Sequence, residues 1–187
     1  VSVPQLPHPQ PRPLRLYDSW WTVTAGALLA CAGLAGCLWV SLHVRTDQVL
    51  HTGALFVHLA SLVLGFGAVL AADWFGLLWI TRRLGLAEAL GAVGRLHAPV
   101  WAGLAGLLVS GAFLHPDPAS PLTRTKLVLI LVLTLNGLQA GVLTRRLAQR
   151  SPAPPGRRMA VWGASTALVS QVCWWGAVVI GFANAQH

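Results

Sequence analysis

His58 to Ile80 reads HLASLVLGFGAVLAADWFGLLWI. After His58 the only ionisable side chain in it is Asp73. The run exceeds the roughly 20 helical residues that cross the hydrocarbon core of a bilayer. Lipid offers the backbone no hydrogen-bond partner, so every N–H and C=O must pair within the segment, which a helix achieves. A membrane barrel would show short segments of alternating polarity instead, and the sequence has none. This stretch is therefore read as the greater part of a membrane-spanning helix.

Four more apolar runs flank it. The expected spans are about Trp20–Leu42, Val49–Ile80, Leu90–Leu114, Leu122–Leu143 and Met159–Phe182. Over the 187 residues 55% are hydrophobic and only 10% charged, with a mean hydropathy of +0.64. Soluble domains carry about a quarter charged residues. The fold class expected is an all-α integral membrane bundle of five spans, forming one domain over residues 17–187. Residues 1–16, rich in proline, read as an irregular tail, and the first apolar run is too long for a cleaved signal peptide. SPAPPG (Ser151–Gly156) and HPDPASP (His115–Pro121) read as loops between spans.

Orientation follows from the basic residues. Arg12, Arg15, Arg82, Arg83, Arg95, Arg145, Arg146, Arg150, Arg157 and Arg158 fall on one side of the five spans. Only Arg45, Arg124 and Lys126 fall on the other. By the positive-inside rule the arginine-rich side is cytoplasmic, which puts the N-terminus in and the C-terminus out. A multi-pass protein of the plasma or bacterial inner membrane is expected. The formal charge of +8 is explained by this topology, so no nucleic-acid partner is inferred.

Small residues mark candidate helix contacts: Gly33 and Gly36 in span one, Gly103 and Gly106 in span three, and Gly137 with Gly141 in span four. Tryptophans near span ends (Trp20, Trp21, Trp39, Trp79, Trp162) suit the interface, whereas Trp174 and Trp175 lie deeper as packing residues. Cys31, Cys37 and Cys173 fall inside apolar runs and read as small buried hydrophobes.

Ionisable groups at membrane depth are costly and therefore informative. His58 lies roughly 9–10 Å outward of the middle of span two, and His97 roughly 7–8 Å inward of the middle of span three. That offset keeps them from sharing one metal. His43, His51 and His115 end or begin three spans at about one height, with Asp47 and Asp117 in the adjoining loops. Three imidazoles there could hold copper or zinc. Asp73 and His97 lie at similar depths and form a candidate polar clasp or proton relay, with His97, Arg95 or Arg82 as partners for the carboxylate. Lys126 joins that group or snorkels to the outer interface. Asn136, Gln139 and Gln171 are placed to hydrogen-bond between helices. A haem b needs an axial histidine within a span and room made by small residues. His58 meets both needs, with Ser61, Gly65 and Gly67 on its helix and Cys37 near the right height.

The stretch beginning HLASLVLGFGAVL at His58 resembles the leading helix of small bacterial membrane proteins related to the copper-resistance protein D domain and to HemJ-type protoporphyrinogen oxidases. TRTKLVLILVLTLNGL (Thr123–Leu138) is similar to their helix that opens with Lys and ends in a polar residue three turns on. The resemblance covers about residues 50–146. It implies a four-helix core handling copper or haem, with one added helix, and it nominates His58 and Lys126. Two departures stand out: Met159 is the only methionine, and Asn136 replaces the histidine of the HemJ pattern.

Three functions follow as expectations. The first is a redox-linked protein binding haem b through His58, as an electron-transfer or accessory subunit of a respiratory assembly. The second is copper transport or handling through the outer histidines. The third is a cofactor-free structural or assembly subunit, with other membrane proteins as partners. No GxSxG, P-loop, GxGxxG or HExxH is present, so soluble-enzyme chemistry finds no support.

Overall fold

The computed structural model describes residues 20–114, 117–148 and 156–184. The proline-rich tail, His115 and all but the last residue of SPAPPG lie outside them. Five helices follow in order: α1 Trp20–His43, α2 Gln48–Ile80, α3 Leu86–Ala112, α4 Pro121–Ala148 and α5 Arg157–Asn184. All five are long and apolar enough to cross a membrane. The described chain is an all-α membrane bundle.

The helices outrun the expected spans where polar residues can continue a helix beyond the hydrocarbon. Leu86 begins α3 after Gly85, and Glu88 in its first turn faces the positive end of the helix dipole. Arg145 and Arg146 close α4, where cations suit the negative end. With 33 residues, α2 is about 50 Å long, well over the roughly 30 Å hydrocarbon core. Asp47 caps α2, its Oδ1 accepting from Leu50 N at 2.7 Å. Asp117 accepts from Ala119 N at 2.9 Å in the turn before α4. Both acidic groups of these two loops thus have structural work. At its far end α2 stops through Arg82, whose φ of 59° is left-handed, while Arg83 N reaches back to Leu78 O at 2.8 Å.

Consecutive helices run antiparallel, with α2 pairing with α3 and α4 with α5. The α2–α3 seam is the tightest. A Cβ built on Gly103 would lie 2.7 Å from Ser61 O and closer still to the Gly65 backbone, so only glycine permits this approach. On the second hairpin Leu129 fills the space opposite Gly176. Phe66 of α2 stacks on Trp174 of α5, ring centroids 5.6 Å apart, and meets Trp175 edge-on at 5.0 Å. The core is Val69, Leu104, Leu133, Cys173 and Trp174, drawn from α2, α3, α4 and α5. Trp174 is its centre, 2% exposed. α1 adds no residue to this cluster and rests on α4 and α3, with Leu138 against Gly26.

Large apolar side chains cover the outside, among them Leu28, Phe56, Val63 and Leu168. In water such a surface would aggregate. Against lipid tails it is the solvated face.

Candidate functional site

The antiparallel order places Arg82, Arg83, Arg145, Arg146, Arg157 and Arg158 at one end of the bundle. Two pockets divide the polar residues. One lies towards the opposite end and one extends from the middle towards the arginines.

The first pocket, about 80 Å³, is lined by His58 of α2, Cys37 of α1, and Thr123 and Lys126 of α4, with Leu107 and Ile130 among its apolar walls. The imidazole is held in a defined state. Ser110 Oγ donates its hydrogen to Gly106 O at 2.5 Å, so it can only accept from His58, whose Nδ1 lies 2.9 Å away. This arrangement favours the Nδ1–H tautomer, with the ring's lone pair on Nε2. A hydrogen bond on one ring nitrogen that frees and orients the other is the usual support for a ligating histidine. Gly111 lies beside the ring, where a Cβ would make ordinary contact at 3.6 Å from His58 Cε1. The Lys126 side chain extends towards α5, its Nζ 3.8 Å from where a Gly181 Cβ would stand.

The second cavity, about 230 Å³, lies among α2, α3, α4 and α5. Asp73, His97, Asn136, Thr144, Thr166 and Ser170 line it with mainly apolar neighbours. Gln171 Nε2 donates to Asp73 Oδ2. Asn136 Nδ2 donates to Thr166 O at 2.8 Å across α4 and α5, and its Oδ1 accepts from Gln139 at 2.9 Å. His97 Nδ1 lies 3.1 Å from Val93 O, which can only accept, so Nδ1 carries a hydrogen.

His58, Cys37 and Lys126, from three different helices, do share a pocket. Asp73 and His97 share the other cavity, as their depths suggested. Lys126 does not join them. The carboxylate's partner is Gln171, in place of His97, Arg95 or Arg82. Asn136 and Gln171 do bond between helices, while Gln139 bonds within its own. Cys173 is buried, Cys37 half-buried, and Cys31 exposed towards lipid, contrary to the buried reading.

Of the three rim histidines expected to meet, His115 lies outside the described residues. His43 turns back on its own helix, stacked on Trp39 at 4.5 Å and bonded to Trp39 O at 2.8 Å. His51 is half-buried on the first turn of α2. Among the described residues no group of three His, Cys, Asp or Glu side chains is arranged to hold a metal. Haem at His58 meets a size limit: sites for ligands of drug size and above span about 300–1,000 Å³, and the pocket beside this imidazole is about 80 Å³. The pocket as it stands is small for a porphyrin, so no chemistry is derived through one.

Ser110, Thr123 and Thr166 were not singled out by sequence. Ser110 had a legible signal, since it follows Gly103 and Gly106 at helical spacing and so shares their α2-facing stripe. Thr166 lies among apolar and small residues with no such mark. Compared with protein-family models, curated proteins and solved structures, the chain finds no match.

Proposed function

We propose that this protein handles copper(I) in a plasma or bacterial inner membrane, taking the ion between the Cys37 thiolate and His58 Nε2 at the end away from the arginines. The observation that carries this reading is the Gly106–Ser110–His58 arrangement, which favours a lone pair on Nε2, beside a small pocket that His58 and Cys37 both line.

Thiolate donors favour copper(I), and imidazole suits copper as well. Charge favours the monovalent ion: an unbalanced charge in a low-dielectric interior costs several kcal/mol, whereas one thiolate and one copper(I) sum to zero. Copper exchanges electrons readily, so the same site supports a redox-linked role beside other membrane subunits.

The test is metal analysis of the full chain, purified in mild detergent under reducing conditions after copper(I) loading. Stoichiometric copper is expected, lost in Cys37→Ser and in His58→Ala and retained in His43→Ala. Copper retained in both pocket variants would refute the site. A reduced α band that vanishes in His58→Ala would replace copper by haem. A colourless, metal-free protein from copper-replete cells would leave the structural-subunit reading standing.

A further inference from the structure

The cavity towards the arginine-rich end has unmet polar groups. Trp174, 2% exposed, has an Nε1–H with no partner, and Thr166 Oγ1 is likewise buried and unpaired. Both residues line the cavity. Buried polar groups in native proteins are nearly always satisfied, so an orphaned pair at one cavity calls for something that fills it. The indole N–H is an obligate donor and requires an acceptor. Asn136 commits one amide hydrogen to Thr166 O and retains the other.

Acceptors line the same space. The neutral His97 ring offers Nε2 as an acceptor, because Nδ1 donates to Val93 O. Gln171 occupies one oxygen of Asp73 and leaves the second. Apolar side chains complete the walls, among them Leu96, Val100, Leu104 and Leu133. The volume of about 230 Å³ is below the range of about 300–1,000 Å³ for drug-sized ligands. It suits a head group of one or two rings.

We infer that this cavity binds the ring of a lipid-soluble quinone. Its carbonyl oxygens accept from Trp174, Thr166 and Asn136. In the hydroquinone form its O–H groups donate to His97 Nε2 and Asp73. A neutral ring carrying oxygens at both ends matches a site with donors and acceptors but no free cation among its lining residues. Such a molecule reaches the bundle through lipid. The assignment concerns binding alone and uses none of the residues of the copper pocket.

The test uses the full chain in lipid nanodiscs with a short-tailed azidoquinone as photolabel. Saturable labelling of peptides from α3, α4 or α5 is expected, displaced by decylubiquinone and not by decylbenzene, which has no carbonyl. Trp174→Phe keeps an aromatic ring and deletes the donor, and should weaken displacement about tenfold. Ala140→Phe should abolish labelling by filling the cavity, read only if the variant elutes as a single species. Labelling that does not saturate, or that decylbenzene displaces equally well, would overturn the assignment on the unmodified chain alone. A Trp174→Phe protein that binds as before would overturn the proposed recognition.

Discussion

His58 shows how a single hydroxyl sets the chemistry of a ring. Ser110 sits one stripe away on α3 and spends its hydrogen on its own helix, which fixes the histidine tautomer. Removing that oxygen in Ser110→Ala should lower copper(I) affinity about 10–100-fold, as loss of an outer support to a ligand commonly does. Competition with a chromophoric copper(I) chelator reads this directly. The fold should barely change, because polar contacts between membrane helices average only about 0.6 kcal/mol. An unchanged affinity would show that the tautomer lock has no part in binding. Asn136 is the other polar residue with a defined cost. It joins α4 to Thr166 O of α5, so Asn136→Leu should destabilise the protein by about 0.6–1.7 kcal/mol in reversible detergent unfolding.

Between elements, close approach rather than polarity decides which helices pair. Gly103 meets Gly65, and Gly106 meets Ser61, at distances where a methyl group would collide. Gly103→Ala should therefore cost about 1–3 kcal/mol or more through backbone displacement. Gly33 and Gly36 of α1 have the same small-residue spacing, yet a Cβ on either meets nothing within 4 Å. Gly33→Ala should stabilise α1 by about 0.5–1 kcal/mol, since alanine loses less backbone freedom than glycine in a helix. Thermal unfolding of the two variants in one detergent gives the comparison. Opposite signs are expected, and two equal losses would mean that α1 packs through Gly33 after all. The glycines of α1 and α3 look alike in sequence. They differ because α1 lies outside the four-helix core.

For the whole molecule, orientation is the testable property. Reporter fusions made after Arg83 should fluoresce as cytoplasmic green fluorescent protein and be inactive as alkaline phosphatase. Fusions after Asn184 should behave in the opposite way, with the copper pocket facing outwards and the larger cavity nearer the cytoplasm. Reversed activities would invert both assignments. The two sites are separated along the bundle axis, so Ser110→Ala should leave quinone labelling unchanged.

Depth was legible in the residues themselves. A helix rises about 1.5 Å per residue, so the apolar runs determined the spans, the separation of His58 from His97 and the common level of Asp73 and His97. Lateral neighbourhood was not. Which helix faces which depends on the packing of small residues such as Gly65 and Gly103, and that brought Cys37, His58 and Lys126 around one pocket. It also gave Asp73 to Gln171 rather than to an arginine. The orphaned Trp174 and Thr166 became visible only with the cavity, because an unmet hydrogen bond is a property of surroundings rather than of a residue. The sequence by itself determined a five-span bundle, since lipid leaves the backbone no other solution. The tertiary structure alone decided which polar side chains meet, since rotation about a helix axis and choice of neighbour are set by packing.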